Sequence, residues 1–496
     1  MRSIKTFLGV GCLIGLLGFV SDPGQLTAQP KTSSTKRWNL VIVLTDDQGA
    51  WTIGAYGNRQ CPTPNMDRLA KEGALFTDAF SVSPLCSPSR ASFLTGLYPT
   101  QVGISDVLYW SLMEGWLPPK DYEREIRRGL DSKTVTWPEV LQKHGYTTGL
   151  VGKWHLGVQE EHHPTGHGFD YYFGPYLAGV LDLSKPVMQE NGRKQAYNRF
   201  MTDVLTDKAI QFIERNRNRP FALVLATQVP HSPWNKVPAE DLEPLEDVEV
   251  TLPEARAEFG TGEERLRTYM RNYLGLVRTV DRNLGRVLNS LQTQGLDDRT
   301  IVIFTSDHGF MMGHRNLIGK GTATYFAGGQ FGPRRMNMFD DSIRVPLLIR
   351  WPGVVKPGTR ITQMVSNLDF FPTLLSMLDV PHPPDLRLEG LDLSPLLRGQ
   401  TVPWRGALFG QLDVERNGFA LMRMIRTKHW KLVRFHLPLM MDELYDLEND
   451  PGENRNLYRI SEFRPVREEL QERLSEWQQA IRDPVMNVEK AVHDKN

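Results

Sequence analysis

The chain has 496 residues, of which 40% are hydrophobic and 23% charged, enough to bury a large core and too apolar for a disordered protein. Its 58 Lys and Arg balance 58 Asp and Glu. That balance excludes an overall field that would draw the chain to nucleic acid or an anionic membrane, so any anion site has to be local.

Arg2 and Lys5 precede an apolar run from Phe7 to Val20, which gives way to small and polar residues including Leu26-Thr27-Ala28. This pattern predicts a signal peptide over residues 1–28 and an exported protein, periplasmic or secreted. The run is shorter than the roughly 20 residues of a bilayer span, so no stable membrane span is expected. Gly9-Val10-Gly11 ahead of Cys12 is a poor lipidation signal. Cleavage then leaves Cys61 and Cys86. Two cysteines are too few for a disulfide framework, although a single bond between them is the plain alternative for an exported chain.

Asn39–Thr45 (NLVIVLT) is a continuous apolar run followed by Asp46-Asp47. Similar runs at Thr147–Trp154, Phe221–Thr227 (FALVLAT) and Thr300–Thr305 (TIVIFT) precede or contain His155, His231 and Asp307-His308. Such runs predict buried strands of a mostly parallel sheet. Helices are expected at Pro64–Glu72, Arg90–Thr95, Thr136–His144, Leu266–Gln294 and Asp369–Leu378, giving an α/β fold with a sheet covered on both faces. In such folds ligands sit beyond the carboxyl ends of the strands, which would bring these polar residues to one crevice. Three carboxylates converging there would repel one another unless a cation lay among them.

Cys86-Ser87-Pro88-Ser89-Arg90 opens one of these helices; Pro88 suits a first turn, and the free N–H groups there favour an anion or an activated thiol. Lys153 and His155, two apart on the expected strand end, would point the same way. His231, in Val229-Pro230-His231-Ser232-Pro233, is a candidate proton donor. Val107–Tyr122 carries Tyr109, Trp110, Trp116 and Tyr122, which read first as residues pinning a long loop to the core. The stretch Pro381–Gly399 marks a boundary, predicting a catalytic domain over 38–395 and a smaller α+β subdomain over 396–485, with short strands in Gly406–Phe435 and a helix over Glu462–Ile481.

The Cys-x-Pro-x-Arg pattern and its continuation Leu94-Thr95-Gly96 resemble the sulfatase family, as do Thr63-Pro64-Asn65-Met66-Asp67, Gly152-Lys153-Trp154-His155-Leu156-Gly157 and Ser306-Asp307-His308-Gly309, in the same order. The likeness runs from about Trp38 through Tyr445-Asp446-Leu447-Glu448-Asn449-Asp450-Pro451. It implies an alkaline-phosphatase-like fold and arylsulfatase-like hydrolysis of sulfate esters; a sulfated carbohydrate is the expected natural substrate, while a small aryl sulfate and a sulfated glycolipid fit the same core site. It also implies that a dedicated maturase converts Cys86 to formylglycine, whose hydrate attacks sulfur and then expels sulfate by collapsing to the aldehyde. By the same resemblance Asp46, Asp47, Asp307 and His308, with the group at position 86, hold Ca2+ or Mg2+; histidine at 308 departs from the commoner asparagine. Arg90 stabilises the hydrate, Lys153 grips sulfate, His155 bonds the formylglycine hydroxyl and His231 serves the leaving oxygen. Lys320, in Gly319-Lys320-Gly321, resembles the lysine that touches sulfate and leaving group, but an insertion reaching to Phe339-Asp340-Asp341-Ser342 leaves Arg334 and Arg335 as competitors. Rival readings are a phosphodiesterase or phosphonate monoester hydrolase of the same superfamily and a noncatalytic binder of sulfated glycans.

Overall fold

The computed structural model describes residues 37–109, 119–175, 179–253, 262–415, 419–437 and 440–487. The expected signal peptide with Cys12, and Trp110 and Trp116, lie outside these residues. Among the described residues no helix is long and apolar enough to cross a membrane.

A ten-stranded sheet organises the fold, in the spatial order Thr359–Ile361, Ala74–Phe76, Leu347–Arg350, Thr300–Ser306, Asn39–Asp46, Phe221–Pro230, Thr147–Gly152, Tyr171–Gly174, Val187–Glu190 and Arg193–Ala196. The middle of the sheet is parallel: Asn39–Asp46 pairs with Thr300–Ser306 on one side and Phe221–Pro230 on the other, and the latter pairs with Thr147–Gly152. Both faces of the central strand are covered, which is why its sequence is continuously apolar rather than alternating. Leu40, Ile42 and Leu44 pack with Phe93, Trp137 and Phe371, contributed by the helices Cys86–Thr95, Trp137–Lys143 and Phe370–Met377. Val41 and Val43 face the other way, onto the layer of Pro64–Glu72, Met201–Asn216 and the 31-residue helix Glu263–Thr293. Four parallel neighbours therefore deliver Asp46, Lys153, His231 and Asp307 to one edge of the sheet.

Two local features differ from the sequence reading. The helix, bounded at Arg90–Thr95 by its pattern, extends back to Cys86, which stands at the helix start where the Pro88 motif places it. The strand expected through Trp154 ends at Gly152, whose φ of 121° breaks the extended backbone; a Cβ there would meet the carbonyl oxygen of Ala226 at 1.8 Å. Lys153 and His155 thus lie beyond the strand, and alternation does not orient them. The insertion after Lys320 forms the hairpin Thr322–Ala327 and Gln330–Met336, part of a small antiparallel sheet with Met311–Met312 and Leu317–Gly319. Cys61 and Cys86 are both free thiols, Cys61 donating to the Leu274 carbonyl at 3.5 Å.

A second antiparallel sheet, Leu408–Val414, Ala420–Arg426, Trp430–Phe435 and Glu443–Asp446, carries the helix Arg464–Ile481. Buried ion pairs join it to the segment after the hairpin. Lys431 is fully buried between Asp340 and Glu453 (Nζ to Glu453 Oε1 2.6 Å), and Arg426 pairs with Asp340 at 2.7 Å. Burial raises the Glu453 carboxyl to about 7 despite Lys431. A carboxyl raised on folding contributes stability that is fully present below its ordinary value of 4.5 and is lost as pH rises through about 7. Glu453→Gln is therefore expected to flatten the pH dependence of stability over that window, read as the difference in denaturant midpoints between about pH 5 and about pH 8. An unchanged slope would show that the pair with Lys431 compensates fully.

Candidate metal and anion site

The strand Asn39–Asp46 ends in a register shift, and Asp47 follows with φ 64°, a left-handed conformation that aspartate tolerates better than most residues. On a continued strand neighbouring carboxylates would face opposite sides of the sheet. Here Asp46 and Asp47 turn to one pocket: Asp46 Oδ1 lies 3.4 Å from Cys86 Sγ, and Asp47 Oδ1 lies 2.7 Å from Lys320 Nζ and 3.5 Å from His308 Nδ1. The Tyr273 hydroxyl, from the long helix, donates to the Asp47 carbonyl at 2.6 Å and fixes this turn.

Every residue of the helix Cys86–Thr95 is buried. Cys86 Sγ, at its first position, is 3.2 Å from His308 Nε2 and 2.9 Å from Lys320 Nζ. One turn on, Arg90 donates through Nε to Asp307 Oδ2 (3.0 Å) and through Nη1 to the Lys153 carbonyl (3.0 Å). Its Nη2 is buried with no hydrogen-bond partner, 3.6 Å from Asp46 Oδ2. Lys153 donates to Asp46 Oδ2. His155, with φ 64°, anchors Nε2 on the Leu108 carbonyl at 2.9 Å and leaves a buried Nδ1 unpartnered. His231 Nε2 lies 3.6 Å from Asp47 Oδ2, on a ring partly open to the cavity.

Lys320 follows the strand Leu317–Gly319, and Asn337 at the far end of the hairpin donates to its carbonyl at 2.8 Å. Of the residues left competing by sequence, Lys320 reaches the site, whereas Arg335 is paired with the buried Glu443 of the second sheet.

The charges shape one another. Burial pushes the Asp46 carboxyl up, but Lys153, His231 and Arg90 hold it well below the usual range; for Asp47, Lys320, His231 and His308 outweigh burial in the same way. Asp307 is raised, by burial and by Asp46. Burial and Asp46 oppose ionisation of Cys86, yet Lys153, Lys320 and His308 bring its thiol down to about 6. Burial disfavours the His308 cation, but Asp307 raises it to about 9. Burial and Lys153 keep His155 neutral.

Donor atoms of Asp46, Cys86, Asp307 and His308 lie within 4.8 Å of one another, and a second such group comprises Asp46, Asp47 and His231. At 4 Å two like charges repel by about 4 kcal/mol at an effective dielectric near 20, so this many buried carboxylates need positive charge between them. Lys320 Nζ supplies some of it. The carboxylate oxygens fit a hard divalent cation, for which the imidazole of His308 is the less suited ligand. Above the cluster opens a cavity of about 450 Å³ lined by Asp47, Cys86, Lys153, His155, His231 and Lys320.

Some supporting residues carried no local signal. Ser89 donates to the Asp307 carbonyl, and Asn367 Nδ2, 278 positions away, donates to the Ser89 hydroxyl at 3.0 Å. Ser89 at least sits inside the cysteine motif; nothing around Asn367 marks it. In Val107–Tyr122, Tyr109 is fully buried, in line with a pinning role, and Tyr122 is exposed.

A sulfatase family profile matches residues 38–380, and a profile for the C-terminal region of N-sulphoglucosamine sulphohydrolase matches residues 329–480. The chain is 29% identical to an N-acetylglucosamine-6-O-sulfatase of Bacteroides thetaiotaomicron over 92% of its own length and 89% of the relative's. It is 32% identical to an N-acetylgalactosamine-6-sulfatase of Mus musculus, covering 73% of this chain and 67% of that one. Among solved structures, a protein in complex with its substrate D-glucosamine-2-N,6-O-disulfate superposes with a TM-score of 0.74 at 27% identity, covering 90% of this chain and 99% of the other.

Proposed function

The chain belongs to the sulfatase family and is a sulfuric ester hydrolase, and from that premise we propose that it desulfates a sulfated carbohydrate with residue 86 matured to formylglycine and calcium held by Asp46, Asp47, Asp307 and His308. The observation that carries this reading is the convergence of those four residues with Cys86, Lys153, His231 and Lys320 from five strand ends and one helix start. The sugar class is supported by the relatives that act on 6-sulfated hexosamines. Export from the cytoplasm and maturation by a formylglycine-generating enzyme belong to the same proposal, on the strength of residues 1–28 and the Cys86–Arg90 pattern.

A hydrated aldehyde at position 86 supplies a hydroxyl that attacks sulfur and a second one whose deprotonation later expels sulfate. A divalent cation supplies positive charge against the sulfate oxygens. The rest is done by this chain's side chains. Lys320 and Lys153, already at the mouth of the cluster, turn from their carboxylates to sulfate oxygens as charge builds on them. Arg90 clamps Asp307 and offers its unpartnered Nη2 to an oxygen on residue 86. His155, held neutral with Nε2 on Leu108, presents Nδ1 to the same region. His231, beside Asp47 and facing the cavity, donates the proton that the leaving alkoxide needs.

The test is sulfate release by protein coexpressed with the maturase, on 6-sulfated N-acetylglucosamine and N-acetylgalactosamine and on an aryl sulfate, against an aryl phosphodiester. Faster turnover of the sulfates is expected; a preference for the phosphodiester would overturn the reading. Lys320→Ala should lower kcat/KM by ~10²–10³-fold, as loss of one preorganised charge donor does. Arg335→Ala should change it only a few-fold, because Arg335 is occupied by Glu443. Equal losses in the two variants would reassign the sulfate contact.

A further inference from the structure

The cavity over Cys86 has two unlike halves. Its floor is charged, whereas its walls are formed by Val180, Leu181, Trp234, Phe310, Ile318 and Phe331. Leu181 and Phe331 are large apolar side chains left 82% and 49% exposed at this mouth. Exposed apolar surface beside a reaction site is a place where a ligand is desolvated.

The wall is built in advance. Phe331, on the hairpin, stacks on Tyr269 (centroids 6.1 Å, 24° between planes), Tyr269 packs on Trp234 at 5.7 Å, and Trp234 meets Phe310 edge-on at 5.9 Å. Phe310 stacks on Tyr273 at 5.5 Å, the same tyrosine that fixes the Asp47 carbonyl. Across the mouth, Gln228 clasps the backbone of Val180 from both sides, accepting from its N–H at 2.8 Å and donating to its carbonyl at 3.0 Å, and so carries Leu181. Lys236 is not among the residues lining this cavity and is held by Asp182 (3.0 Å) and Ser184 (3.3 Å). Among the described residues lining the cavity, the lysines are Lys153 and Lys320, both at the floor.

We infer that the leaving group this site accepts is a neutral ring with a flat apolar face, carrying its sulfate into the floor while the ring lies between Leu181 and the Trp234–Phe331 wall, and not a segment bearing further sulfates or carboxylates against that wall. The inference rests on the sulfatase reading and adds the chemistry of the leaving group. A second anionic group on the ring would lose its water against aromatic carbon, where the described lining offers no lysine or arginine above the floor. A pyranose C–H face and an aryl ring share the required chemistry.

Phe331→Ala and Trp234→Ala, each checked by thermal melting, are to be compared with wild type on a methyl N-acetylglucosaminide 6-sulfate, on 4-methylumbelliferyl sulfate and on a uronate-containing disaccharide with several sulfates. A ring stacked on one aromatic gains about 0.5–1.5 kcal/mol, so KM should rise ~3- to 10-fold per variant with kcat changed less. A rise with the sugar alone, or with the aryl ester alone, identifies which source the wall serves. Wild-type preference for the polyanionic disaccharide, or unchanged KM for both neutral esters in both variants, overturns the inference and leaves the sulfatase reading standing. A wild-type protein that cleaves none of the three overturns both. Phe331→Ala keeps the test usable if Trp234→Ala is unstable, since Phe331 is half out of the core.

Discussion

Cys86→Ala is expected to remove sulfate-ester hydrolysis, by ~10⁴-fold or more, while the protein stays folded and its metal binding is only weakened. The size of the effect follows from what position 86 does. The neighbouring groups activate it as a set: Lys320 and His308 touch Sγ directly, and Lys153 joins them in favouring its ionisation against burial and Asp46. Alanine leaves those cations aimed at nothing that can attack sulfur. Folding survives because a small, fully buried side chain at a helix start is replaced by another and no disulfide is lost. Cys86→Ser is the sharper control, since it keeps an oxygen at this place but cannot expel sulfate by collapse; it should stall after transfer rather than fail to bind. Rates measured on an aryl sulfate, with single-turnover kinetics for the serine variant, check both. An alanine variant within ~10-fold of wild type would remove position 86 from the chemistry.

Removal of the divalent cation is expected to have the second largest effect. Exhaustive chelation should lower turnover by ~10³-fold or more and lower Tm by ~2 °C or more, both restored by adding calcium. Without the cation, the carboxylates of Asp46, Asp47 and Asp307 are left with Lys153, Lys320, Arg90, His308 and His231 as compensation. Lys153 and Lys320 are then locked onto aspartates and unable to meet sulfate. Asp46→Asn and Asp307→Asn should reproduce the loss of activity and abolish the response of Tm to calcium. Restoration by magnesium alone would assign the smaller ion. Unchanged turnover after chelation would show that the acidic cluster is neutralised by its lysines throughout.

Several of these residues could be read in the sequence because their signals are local. Asp46, Asp47 and Asp307 follow continuous apolar runs, and such runs become central strands whenever both sheet faces are covered, as the split of Leu40, Ile42 and Leu44 from Val41 and Val43 illustrates. Cys86 and Arg90 stand one turn apart in a motif that is itself a helix start. The orientation of Lys153 and His155 was not legible, because Gly152 ends the strand through a left-handed step that strand periodicity does not foresee. The choice of Lys320 over Arg335 required knowing that Glu443, 108 positions further on, takes the arginine. The same holds for the aromatic wall: Trp234, Phe310 and Phe331 come from three separate segments, and no one of those segments shows an aromatic pattern. Ser89 and Asn367 support the site through a contact that only tertiary folding creates.

The most direct test is peptide mass spectrometry of catalytically active protein, on the fragment spanning Cys86 to Arg90, before and after reaction with a carbonyl-specific hydrazide. An aldehyde at residue 86, present in proportion to activity, is the result expected. Full activity with an unmodified thiol at that residue would contradict the mechanism at its root.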